Sequence, residues 1–67
     1  MRIELNGERV EIDPPASVED AMRLAGVRVE RGVAVALDGE VVRRADWPDT
    51  ALADGATLEV VQAVQGG

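Results

Sequence analysis

Val33-Ala34-Val35-Ala36-Leu37-Asp38-Gly39-Glu40-Val41-Val42-Arg43-Arg44-Ala45-Asp46-Trp47, the stretch VAVALDGEVVRRADW, decides the fold of this chain. Its first five residues are apolar at every position, a pattern that suits a strand buried on both faces or in the interior of a sheet. Asp38-Gly39 then offers a two-residue turn, because both residues tolerate the positive φ that a tight hairpin requires. Val41-Val42 carries the return strand. From Arg43 to Ala53 no period is sustained, so the spacing predicts a long connection with a single helical turn and Trp47 packed at the domain edge. Asp54-Gly55 marks another turn, and Thr57 to Ala63 (TLEVVQA) resumes a strand pattern. Leu58 and Val60 point inward there, and the same alternation sends Glu59 and Val61 to the opposite face.

On the N-terminal side, Arg2 to Asn6 and Arg9 to Ile12 each alternate polar and apolar residues, and Asn6-Gly7 sits between them. This is the signature of a hairpin, with Ile3, Leu5, Val10 and Ile12 facing one core. Pro14-Pro15 closes the second strand, since proline cannot donate to a ladder. Ser17 is placed to cap a helix whose first turn carries Glu19 and Asp20, acids that favour the positive end of the helix dipole. Val18, Ala21, Met22 and Ala25 fall at helical spacing on one stripe. Gly26 stands where a left-handed cap ends such a helix, and residues 27–32 (VRVERG) form a linker. The order hairpin, helix, hairpin, connection, strand describes an α+β layer in which a mixed sheet of four to five strands wraps one helix.

Composition narrows the function. Sixty-seven residues allow one domain, and the absence of cysteine and histidine excludes disulfides and Cys/His zinc sites. The net charge of −6 comes from thirteen acids against seven arginines, with no lysine. Such a chain repels phosphate backbones, so no nucleic-acid partner is expected. No apolar run reaches bilayer length and the N-terminus lacks a signal-peptide core, so no membrane partner is expected and the location should be cytoplasmic. Without Cys, Lys or His, the usual side-chain nucleophiles and the most versatile proton shuttle are missing. Catalysis by this chain itself is not expected.

Across essentially its whole length the sequence resembles the ThiS family of sulfur carriers, which with the MoaD-like carriers share the ubiquitin-like β-grasp fold. The resemblance lies in Ile3-Glu4-Leu5-Asn6, in Ala36 through Trp47, in Asp54 through Val60, and in the terminal Gly66-Gly67. Two positions depart from the family pattern: Arg43 replaces a common proline before the arginine, and Asp38 replaces a frequent asparagine. The resemblance implies a β-grasp domain over residues 1–63 with the last strand beside the first, parallel and central. Residues 64–67 would form a flexible tail.

It also implies the chemistry. A ThiF-like adenylyltransferase, using ATP and Mg itself, would adenylate the carboxylate of Gly67. Sulfur from a donor such as a cysteine desulfurase would replace AMP to leave a thiocarboxylate, and a ThiG-like thiazole synthase would take that sulfur for thiamine. The chain would bind no cofactor or metal of its own. A Gly-Gly ending alone is no more than a frayed terminus, but at the tip of this strand order it has a reason. Without Cβ atoms, Gly66 and Gly67 can thread a narrow active site, and Val64 to Gly67 extended reach ~13–14 Å at ~3.3–3.6 Å per residue. Glu59 and Val61, with Val64 and Gln65 beyond them, are the expected partner contacts. Two other readings fit the same pattern: a MoaD-like carrier for molybdopterin or another sulfur-containing metabolite, and a β-grasp binding module whose tail is inert.

Overall fold

In the computed structural model, which describes residues 1–26 and 32–62, both expected hairpins close at their glycine turns. β1 (Arg2–Leu5) and β2 (Glu8–Glu11) pair antiparallel around Asn6-Gly7; β3 (Val33–Leu37) and β4 (Glu40–Val42) do so around Asp38-Gly39. Asn6 and Asp38 both adopt φ 50°, with Gly7 at 84° and Gly39 at 88°. That succession of two left-handed residues matches the twist of the flanking strands, which explains why these dipeptides stand here.

β5 (Thr57–Gln62) inserts between the two hairpins, and the sheet runs β2-β1-β5-β3-β4. It lies parallel to β1 and antiparallel to β3. The turn residues of both hairpins hold it in place, because their side chains reach its backbone. Asn6 Oδ1 accepts from Val60 N at 2.8 Å on one side, and Asp38 Oδ1 accepts from Thr57 N at 2.9 Å on the other. An acceptor oxygen is all the latter bond needs, and the Asp38 side chain supplies one. Asp54 Oδ1 adds a third tie, accepting from Arg2 N at 2.8 Å.

One helix, α1 (Val18–Leu24), covers the inner face of the sheet and buries Val18, Ala21 and Met22. Beneath it lie Ile3, Val35 and Leu58, one residue from each of the three central strands, all essentially inaccessible to solvent. Burying each of these side chains contributes about 1.5–3 kcal/mol, which makes this layer the main source of stability. Seven residues are too few to hold a helix alone, so the N-terminus of α1 is fastened from several directions. Ser17 Oγ accepts from Asp20 N at 3.2 Å, while Asp20 Oδ2 accepts from Ser17 N at 2.9 Å, a reciprocal capping box. Val18 N donates to Thr50 O, Leu52 N donates to Ala16 O, and a short bridge joins Ser17 to Ala51. Gly26 takes φ 70° and its N–H donates to Arg23 O, ending the helix in a left-handed residue as expected.

The capping box has a pH signature. Hydrogen bonds from the Ser17 backbone and then its side chain hold the Asp20 carboxyl below its ordinary value, and the Arg23 charge adds a smaller pull. A lowered pKa in the folded state means that the ionised group contributes stability above the unfolded pKa, and that this is lost as pH falls through the folded value. Thermal melts of the wild type and Asp20→Asn should therefore differ at neutral pH, with the wild type more stable. The two should converge as the medium is acidified below the ordinary carboxylate range.

One expectation is decided between its alternatives and three need correction. Of the two alternatives for Val33 to Leu37, the interior of a sheet holds, since β3 lies between β5 and β4, and burial on both faces does not: Val33, Val35 and Leu37 turn to the core, Ala34 is exposed and Ala36 is half-buried. The run is apolar throughout because its outward positions are alanines, which leave that face flat rather than covered. Ala25 is the exposed C-cap and not part of the buried stripe, because the helix has already stopped at Leu24. The connection after β4 forms a six-residue 3₁₀ segment, Arg44–Asp49, longer than one turn. Its Trp47 lies in the core at 2% exposure and not at the edge, with Nε1 donating to Val42 O at 3.0 Å. The indole thereby ties the 3₁₀ segment to β4, while the segment as a whole lies against α1.

Candidate functional site

Expected functional groups fall into two sets. Val64, Gln65, Gly66 and Gly67 lie outside the described residues, as does Ala63, so the last described strand residue is Gln62. Glu59 and Val61 are within β5, and both side chains are exposed on the outer face of the sheet, opposite α1. Val61 is 59% exposed, high for a valine on a central strand.

Strand register explains what surrounds them. Val61 sits directly opposite Ala34 and Glu59 opposite Ala36 across the β3–β5 ladder; Ala36 in turn faces Val41 across β3–β4. Val41 is 75% exposed, so Val41, Ala36, Ala34 and Val61 form a continuous apolar surface over three strands. Sequence reasoning missed Val41 and the two alanines. The signal was present, since inward Val42 forces outward Val41 in a strand of period two. The other half of the same face is charged, with Arg2, Glu4, Arg9 and Glu11 on β1 and β2. There Arg2 Nε contacts Glu11 Oε1 at 3.3 Å across the ladder. An open depression of about 660 Å³ beside this half is lined by groups of both signs, Asp54 among them.

Among the described residues, no buried residue is polar or charged. Nor do any His, Cys, Asp or Glu side chains there gather as metal ligands. Side chains of the body therefore supply packing, turns and a surface, and the described part offers no desolvated acid or base. Arg43 and Arg44 stand exposed at the start of the 3₁₀ segment, ahead of Trp47. No described helix is long and apolar enough to cross a membrane.

The sequence pattern of the ThiS family matches residues 3–67, nearly the full length and including Gly66-Gly67. The chain belongs to the ThiS family. Its fold agrees with solved members described as thiamine biosynthesis proteins. The crystal structure of ThiS from Geobacter metallireducens is 28% identical, covers 100% of both chains and superposes with a TM-score of 0.83. The solution structure of a thiamine biosynthesis protein from the same organism, also 28% identical, covers 100% of this chain and 88% of the other with a TM-score of 0.77. No curated protein matches the chain. The architecture is thus the β-grasp of ThiS proteins, with β5 parallel to β1 at the centre of a five-stranded sheet. In this ThiS-family chain, the strand nearest the Gly-Gly end in sequence is the central one of the sheet.

Proposed function

We propose that the protein is a sulfur carrier for the thiazole moiety of thiamine. A ThiF-like adenylyltransferase, using ATP and Mg, directs the carboxylate of Gly67 onto the α-phosphate of ATP, which forms the acyl-adenylate and releases pyrophosphate. The terminal sulfur of a donor persulfide, such as that on a cysteine desulfurase, attacks the acyl-adenylate and expels AMP to give an acyl disulfide. A thiol then reduces the S–S bond, becoming oxidised to a disulfide and leaving the thiocarboxylate on Gly67. A ThiG-like thiazole synthase accepts that sulfur. The chain is a co-substrate of these enzymes, holds no cofactor of its own and works in the cytoplasm. The observation that carries this reading is the family match that runs through Gly66-Gly67. The chain's chemistry supports it: with no lysine and no cysteine, an activated Gly67 meets no side-chain amine or thiol of its own kind.

The body of the carrier positions the reacting end. Residues 63–67, if extended, reach about 17 Å at ~3.3–3.6 Å each. The outer face around Val61 lies next to the root of these residues and is open to a partner that takes them in. Val61, Ala34, Ala36 and Val41 offer it an apolar surface, and Glu59 at its margin favours a basic counterpart. Val61→Asp should therefore weaken binding of the adenylyltransferase by about 10-fold or more. Its stability should fall by about 1 kcal/mol or less, since the side chain stands free of the core. Titration calorimetry with a parallel thermal melt separates the two effects.

Growth tests the pathway. A bacterial strain that lacks its own ThiS and requires thiazole should grow without it when this chain is expressed with its cognate ThiF-type and ThiG-type enzymes. Rescue of a molybdopterin-deficient strain instead would assign the chain to a MoaD-like role. Rescue of the thiazole strain by a chain lacking Gly67 would favour a binding module with an inert tail.

A further inference from the structure

We infer that the partner which takes the C-terminal arm adds an extended segment of its own to the open edge of β5 at Val60–Gln62. This rests on the carrier reading above and concerns how the arm is gripped.

The argument begins with the alternation of backbone groups along β5. Those of Thr57 face β3, where Asp38 N donates to Thr57 O at 2.8 Å and Thr57 N donates to Asp38 Oδ1. Those of the alternate residues face β1, with Glu4 N donating to Ala56 O at 2.8 Å and Asn6 N donating to Leu58 O at 2.9 Å. β1 ends at Leu5, and its register with β5 covers only Glu4 with Thr57 and Leu5 with Leu58. At the next step the chain has already turned away through Asn6-Gly7. A side chain stands in for the missing strand, since Val60 N donates to Asn6 Oδ1 at 2.8 Å.

Beyond that point the two sides of β5 differ. On one side β3 stays paired as far as Val33 opposite Gln62. On the other, the same alternation aims Val60 C=O and Gln62 N–H at the space that β1 has left, and no strand of the described residues lies there. One acceptor followed two residues later by one donor is the repeat of a β-ladder. An exposed edge of this kind is a template for strand addition. The charged hairpin guards the far margin of the sheet at β2, whereas this edge is interior to the sheet and becomes open only next to the arm. The occupant is thus an extended main chain belonging to the protein that handles the arm. It would grip the arm by its backbone, independently of side chains, and hold Gly67 at a fixed distance from the sheet.

Gln62 allows a clean test, because its N–H belongs to the open edge and contributes no bond to β3. Gln62→Pro deletes that donor, whereas Gln62→Ala keeps it. Binding of a ThiF-type adenylyltransferase should be about tenfold or more weaker for Gln62→Pro than for Gln62→Ala, since a partner carbonyl would be buried without its donor. Independently, hydrogen exchange of ¹⁵N-labelled wild type should show the Gln62 amide exchanging fast in the free chain and slowly in the complex. Equal affinity of the two variants together with an unprotected amide in the complex would overturn strand addition while leaving the carrier reading intact, provided the wild type is adenylated. An amide already protected in the free chain would also overturn it, because the edge would then be filled from within or by a second copy. A wild type that is neither bound nor adenylated would overturn both.

Discussion

Deleting Gly67 is expected to abolish formation of the thiocarboxylate while leaving the unfolding midpoint where it was. The two halves of this expectation have separate causes. Among the described residues β5 runs as far as Gln62, and every buried core residue lies at or before Leu58. Removal of the last residue therefore takes nothing from the packed layer, and the thermal midpoint should be unchanged. Chemistry is another matter. The deletion draws the reacting carboxylate back by one residue, about 3.3–3.6 Å. Since a misplacement of ~1 Å can already cost about 100-fold in rate, conversion should drop by at least that factor. Gly67→Ala keeps the chain length but adds a Cβ at the reacting residue, and its conversion should fall between the two. A truncated chain that is converted at the wild-type rate would place the chemistry elsewhere.

Trp47→Ala should have the opposite character, destroying stability while leaving Gly66-Gly67 unaltered in the sequence. Trp47 is the sole aromatic residue of the chain and is 2% exposed in a core otherwise built of aliphatic residues and alanine. Its truncation costs about 3–5 kcal/mol from lost burial and the cavity left behind. It also strips the donor that Val42 O receives at 3.0 Å. A domain of this size has a thin margin. At about 4–8 °C of midpoint for each kcal/mol, the variant should be largely unfolded at room temperature or only just above it. Far-UV circular dichroism is the suitable probe, because the substitution removes the only tryptophan fluorophore. Trp47→Phe, which keeps much of the ring volume and loses only the N–H, should sit well above Trp47→Ala. Indifference of the midpoint to Trp47→Ala would contradict the assignment of the indole to the core.

Much of this fold is written in local signals. Asn6-Gly7 and Asp38-Gly39 announce their hairpins because only a few residue types accept two successive left-handed conformations, and Gly26 marks the helix end for the same reason. The alternation of Leu58, Glu59, Val60 and Val61 states which side of β5 faces the core. What the sequence hid depends on contacts between distant segments. The 3₁₀ segment has no period of its own, and Trp47 reaches the core only because the backbone bonds of Thr50 and Leu52 draw that connection against Val18 and Ala16. Alanines 34 and 36 read as buried because periodicity registers polarity and not size. For the candidate site, Glu59 and Val61 were legible from strand alternation alone. Their neighbour Val41 was not, because the surface they share exists only once β3 lies between β5 and β4.

The carrier account is tested most directly by the intact mass of the chain after incubation with ATP, Mg, a ThiF-type adenylyltransferase and a sulfur donor. One oxygen should be replaced by sulfur, and fragmentation should locate it at the carboxyl of Gly67. An unchanged mass, under conditions where another ThiS protein is converted by its own enzymes, would contradict the account, as would sulfur found at any other position.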